Sequence, residues 1–129
     1  MKRGAIRRRL AAGGAVLAAA VVIALVTPGS AQAAPAFCSG RKVRTLPFST
    51  GSVWIYKRGD YVCAVTVPRV PGARKRMSVS VQPRGGRPVV DSGRFARRAG
   101  PVTVHAGHRC VLFKGSVGPG SVNSGWILC

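Results

Sequence analysis

From residue 34 onward the chain alternates short apolar runs with polar and turn-forming ones. No stretch there keeps the 3.6-residue apolar period of an amphipathic helix. Runs rich in Val, Thr, Ile and aromatic residues are separated at short intervals by Gly, Pro and Arg clusters, which is the pattern of short strands joined by tight turns. The clearest unit spans residues 52–67. Val53, Trp54, Ile55 and Tyr56 predict one strand, Arg58, Gly59 and Asp60 a turn, and residues 61–67 the returning strand. In that second strand Tyr61, Cys63, Val65 and Val67 share one face and Val62, Ala64 and Thr66 the other. The first set is expected to carry Cys63 inward.

Residues 77–82 alternate more cleanly, with Met77, Val79 and Val81 against Ser78, Ser80 and Gln82. This strand should have one wet face, on the outside of a sandwich or at an edge. Residues 84–87 read as a turn, 88–91 as a short strand, and 92–100 as a basic connection ending before Pro101. A second hairpin is expected where residues 102–105 lead through Ala106 and Gly107 into 108–117, followed by a Gly118, Pro119, Gly120 loop and a last strand over 125–129. The prediction is all-β: a small antiparallel β-sandwich or barrel of about six to seven short strands.

The first 33 residues have a different character. Five cations (Lys2, Arg3, Arg7, Arg8 and Arg9) precede an apolar run over residues 10–26, which Pro28 and Gly29 end. Ala31, Gln32 and Ala33 then supply the small-x-small pattern of a signal-peptidase site, so residues 1–33 read as an export signal and 34–129 as a single secreted domain. The rival reading is a retained anchor, but the run is at the short edge of the ~17 to 25 residues a spanning helix needs. The helix breaker and cleavage pattern favour removal, leaving no stable membrane anchor.

Export changes how the cysteines are read. Cys38, Cys63, Cys110 and Cys129 all follow the expected cleavage point, and an even number in an oxidising compartment predicts two disulfides. Three pairings are open. The sequential one, Cys38 with Cys63 and Cys110 with Cys129, is preferred because each pair brackets neighbouring predicted strands. Each bridge would stabilise so small a domain by about 3 kcal/mol through restriction of the unfolded chain.

Charge narrows the function classes. Asp60 and Asp91 are the only acidic side chains, against 21 lysines and arginines in the whole chain. With the five leader cations removed, the exported part keeps a net charge near +14. Paired-carboxylate catalysis is thereby excluded, and both aspartates read as turn residues beside glycine or serine. His105 and His108 would face each other across a two-residue turn, but two ligands fall short of the three or four a zinc site needs. No Gly-x-Ser-x-Gly elbow is present, and neither Gly85-Gly86 nor Gly118-Pro119-Gly120 has the lysine and helix of a phosphate loop. No cofactor is expected. Trp54 and Trp126 read as core residues.

The cations cluster at Arg41, Lys42 and Arg44; at Lys57 and Arg58; at Arg74, Lys75 and Arg76; at Arg84 and Arg87; and at Arg94, Arg97 and Arg98. Most are expected in turns and connections. Arg41, Lys42, Arg44, Arg74, Lys75, Arg76, Arg97 and Arg98 are the candidate anion-binding residues, suited to anionic wall polymers, acidic polysaccharide, extracellular nucleic acid without sequence specificity, or anionic lipid.

The 34–129 region also resembles the small secreted actinobacterial proteins typified by spore-associated protein A. The similar residues are Cys38, Ser39 and Gly40; the Cys63, Ala64, Val65, Thr66, Val67 run; the Ala99, Gly100, Pro101, Val102, Thr103, Val104 run; Gly107, Cys110 and Gly115; and the terminal Cys129. The resemblance implies an exported, disulfide-bonded, non-enzymatic protein associated with spores or the cell surface. Arg97 and Arg98 depart from that pattern, in which aromatic or uncharged residues approach the Ala-Gly-Pro run. The expectation is therefore a cationic envelope protein, with a released antimicrobial factor or a protease inhibitor, presenting residues 68–76 as its loop, as alternatives.

Overall fold

The computed structural model describes residues 37–129. The expected export signal, residues 1–33, lies outside the described residues. Eight strands follow in order: β1 Arg41–Phe48, β2 Gly51–Arg58, β3 Tyr61–Pro68, β4 Lys75–Pro83, β5 Val89–Phe95, β6 Ala99–His105, β7 Val111–Val117 and β8 Gly120–Ile127. They form two antiparallel four-stranded sheets, ordered β1-β2-β3-β6 and β5-β4-β7-β8. The domain is a small β-sandwich, with one strand more than the upper expectation. β6 packs over β4 and β5, and β1 over β8.

β1 is the strand that the apolar pattern did not announce. Its core-facing residues Val43 and Leu46 are an odd number of positions apart, so a regular strand would send them to opposite faces. A register shift between Lys42 and Arg44 inserts the extra residue that brings both inward.

The inner faces meet in one core. Val53, Ile55, Val62, Ala64 and Val102 from the first sheet pack against Met77, Val79, Val81, Val111, Phe113 and Val117 from the second. On β3 the expected faces are reversed. Thr66 and Ala64 pair with the core residues Val53 and Ile55, whereas Cys63 pairs with Tyr56 and points away from the core. Every residue of the strand from Val62 to Thr66 is nonetheless buried, because the segment carrying Cys38 covers its outer side. With apolar residues on both faces, alternation had no polar side to mark the outside.

The β2–β3 hairpin forms as predicted, and β4 does present one half-exposed face, but as a central strand rather than an edge. The expected basic connection over 92–100 is shorter. Residues 92–95 continue β5, leaving only residues 96–98 to cross between sheets. The second hairpin does not exist: β6 pairs with β3 and β7 with β4, so residues 106–110 bridge the two sheets. Ala106 and Gly107 are held by amides that both donate to the Asp60 carbonyl, at 2.8 and 3.0 Å. The last strand begins at Gly120 rather than at residue 125.

Two disulfides, Cys38–Cys63 and Cys110–Cys129, follow the sequential pairing. The first fastens the residues before β1 onto the outside of β3, and the second closes the open ends of β7 and β8. Two such bridges fit an oxidising environment.

Candidate functional site

With the core filled by small aliphatic residues and Phe113, the larger aromatic and charged side chains are displaced to the two outer faces. Each face has its own chemistry.

On the β1-β2-β3-β6 side Trp54 is half-buried outside the core, which corrects the expectation for it. Phe37 stacks on its ring with centroids 6.1 Å apart, fixed there by the neighbouring Cys38–Cys63 bridge. The Lys42 ammonium sits 4.3 Å from the Trp54 ring centre, and the Arg98 guanidinium 4.5 Å from that of Phe37. Two cations distant in sequence thus close a stack of two aromatic rings, each contributing about 0.5 to 1 kcal/mol where exposed. Further along this face, Tyr61 meets His105 edge to face at 5.1 Å, and Asp60 Oδ2 lies 3.9 Å from His105 Nε2.

On the β5-β4-β7-β8 side, register arranges the outward residues in rows across the sheet. Arg94 pairs with Arg76 in the first row. In the second, all four strands supply a serine: Ser92 opposite Ser78, Ser78 opposite Ser116, and Ser116 opposite Ser121. The third carries Val90, Ser80, Lys114 and Asn123, and the fourth Gln82, Leu112 and Trp126. The Ser78 and Ser116 hydroxyls bond each other at 2.7 Å. A shallow groove of ≈ 370 Å³ is lined here by Ser78, Lys114, Ser116, Ser121 and Asn123 among others. Trp126 is 39% exposed rather than buried in the core, and the Arg84 guanidinium covers its ring at 5.0 Å.

The candidate anion-binding residues do not form one patch. Arg41, Lys42 and Arg44 lie on the edge strand β1, over β8. Lys75 and Arg76 open β4 and Arg74 immediately precedes it; the Lys75 ammonium donates to the Val70 carbonyl and an Arg74 guanidinium N–H to the Arg94 carbonyl. Arg97 lines a cleft with Pro71 and Gly72, whereas Arg98 turns to the opposite outer face and the Phe37 ring. Arg94, grouped by sequence with Arg97 and Arg98, belongs with Arg76. Most of the clusters expected in turns lie on strands instead, since residues 41–44, 57, 58, 75, 76 and 94 are all in ladders.

Sequence reasoning missed the serine row and Lys114. The alternation in β4 marked Ser78 and Ser80 as outward, but only register aligns Ser92, Ser116 and Ser121 with Ser78, and Lys114 with Ser80. The two aspartates balance little of this charge. Asp60 lies by His105, and the Asp91 carboxylate accepts the Gly100 amide at 2.7 Å from strand β5, not from a turn. Among the described residues no lysine or arginine comes within 4.0 Å of a carboxylate. Compared with known family models, curated proteins and solved structures, the chain matches none.

Proposed function

We propose that this is an exported, non-enzymatic, cationic protein of the spore or cell envelope that binds anionic wall polymers. The observation that carries this reading is the uncompensated charge. The 16 lysines and arginines of residues 37–129 are set against two aspartates, neither of which has a lysine or arginine within 4.0 Å. Such a surface attracts polyanions at long range, and salt screens the attraction over about 8 to 10 Å at physiological strength. The two disulfides support a life outside the cell, where reduction does not threaten them.

The inhibitor alternative has less support. Arg69 and Arg74, in the connection between β3 and β4, bend back to donate to the Ser49 and Arg94 carbonyls instead of standing out as specificity residues.

The test is retention of the exported, oxidised protein on intact cell walls at low and high salt, with trypsin inhibition measured on the same material. Retention at low salt that is lost at high salt, without inhibition, is expected. Absence of retention at every salt concentration would refute the reading.

A further inference from the structure

Resting on the envelope reading, we propose that the outer face of the β5-β4-β7-β8 sheet is the polymer site, and that its ligand is a polyol-phosphate chain. The first reason is an arrangement that folding alone does not favour. Arg76 and Arg94 stand directly opposite each other on the same face, and like charges so placed destabilise a sheet. The Arg74 guanidinium, tied to the Arg94 carbonyl at 3.1 Å, adds a third cation at this corner. An anion bridging these groups turns the repulsion into charge-assisted hydrogen bonds.

The second reason is the serine row beside them. Strands lie about 4.8 Å apart, so the row from Ser92 through Ser78 and Ser116 to Ser121 runs about 14 Å across the sheet. The arginine pair flanks it about 7 Å away along the strands on one side, and Lys114 in the next row does so on the other. Each serine hydroxyl can donate one hydrogen bond and accept two, and the Ser78–Ser116 bond uses one of the four donors. A partner that needs both is one carrying hydroxyls as well as anionic oxygens. The phosphate oxygens would accept from the arginines, Lys114 and serines, and the polyol hydroxyls would donate to serine oxygens and to Asn123.

The third reason separates this chain from other polyanions. Sugar rings and nucleic-acid bases bind best over free aromatic faces. The aromatic residue of this sheet's outer rows, Trp126, lies two rows from the serines and has Arg84 over one ring face, whereas a flexible polyol chain requires no stacking surface.

The experiment measures binding of a labelled poly(glycerol phosphate) chain to the exported, oxidised protein over a salt series, with wall retention read in parallel. Three double variants are compared, each checked by thermal melting. S92V/S121V keeps the net charge and places strand-favouring residues at exposed strand positions. R76Q/R94Q removes the facing pair, and R41Q/R44Q removes the same charge from β1. We expect S92V/S121V to weaken binding about tenfold, as for loss of hydrogen bonds to charged groups. R76Q/R94Q should weaken it at least as much and lower the salt slope by roughly one per arginine. R41Q/R44Q should stay within about threefold, the size of a screened long-range effect.

Equal losses from the two arginine pairs, or wild-type binding by S92V/S121V, would mean that net charge alone governs binding and would overturn the assignment. Duplex DNA bound as tightly as the polymer at the same salt would overturn the ligand class. Wild-type protein that binds the polymer through this face yet fails to stay on walls would overturn the envelope reading and leave the site standing.

Discussion

The Asp91 carboxylate on β5 accepts a 2.7 Å hydrogen bond from the Gly100 amide on β6, so one of the two acidic side chains joins the two sheets at their shared edge. Gly100 is the residue that can accept this placement. Its φ is +92°, and a Cβ there would lie 2.9 Å from the Ala64 carbonyl oxygen. Replacing Asp91 by Ala leaves the amide without its charged partner and should cost about 2 kcal/mol, whereas Asp91→Asn, which keeps an acceptor, should cost less. Urea unfolding under non-reducing conditions measures both. Equal, negligible effects would show that the bond contributes nothing to joining the sheets.

At Gly115 the two sheets approach closely. A Cβ on this residue would lie 2.6 Å from Thr66 Oγ1 and would also run into Val53, both on the opposing sheet. Gly115→Ala is therefore expected to destabilise the fold by about 1 to 3 kcal/mol through overpacking, despite the higher strand propensity of alanine. A lowered melting midpoint checks this, and an unchanged one would show that the sheets can separate at little cost.

The Cys38–Cys63 bridge holds Phe37 over Trp54. Removing it in C38A/C63A should cost about 3 kcal/mol for a closed loop of this size. It should also free the Phe37 segment, so that Trp54 fluorescence shifts to the red and becomes open to a soluble quencher in protein that is still folded. Unaltered quenching in the folded variant would mean that the aromatic stack holds without the covalent link.

Phe113 and Trp126 offer a direct comparison of core with surface. Phe113 is fully buried and Trp126 is 39% exposed. Phe113→Ala should cost about 3 to 5 kcal/mol, and Trp126→Ala less than about 1 kcal/mol, because only the former empties a packed site. Comparable losses on chemical denaturation would place Trp126 in the folding core after all.

Much of this architecture was legible in local chemistry. The Met77, Val79, Val81 alternation gave β4 its inner face, the Arg58-Gly59-Asp60 turn gave the first hairpin, and an even number of cysteines after the expected export signal pointed to two bridges. The errors came where both faces of a segment have the same character or where pairing is not local. β3 carries apolar residues on both faces, so its period could not tell which side Cys63 takes. Residues 102–117 contain two strands and a tight turn, yet those strands bond to β3 and β4. A strand's propensity says nothing of its neighbour.

The candidate site divides along the same line. Sequence by itself determined the all-β character, the likeness of charge across the surface and the scarcity of acids to neutralise it, since these follow from residue type and short-range period. Only the tertiary structure decided that Arg76 faces Arg94, that four serines align across four strands, and that Lys42 and Arg98 close one aromatic stack. Those relationships depend on register and sheet order. They are set by the simultaneous packing of Val, Met and Phe side chains between two sheets, and no single segment contains that information.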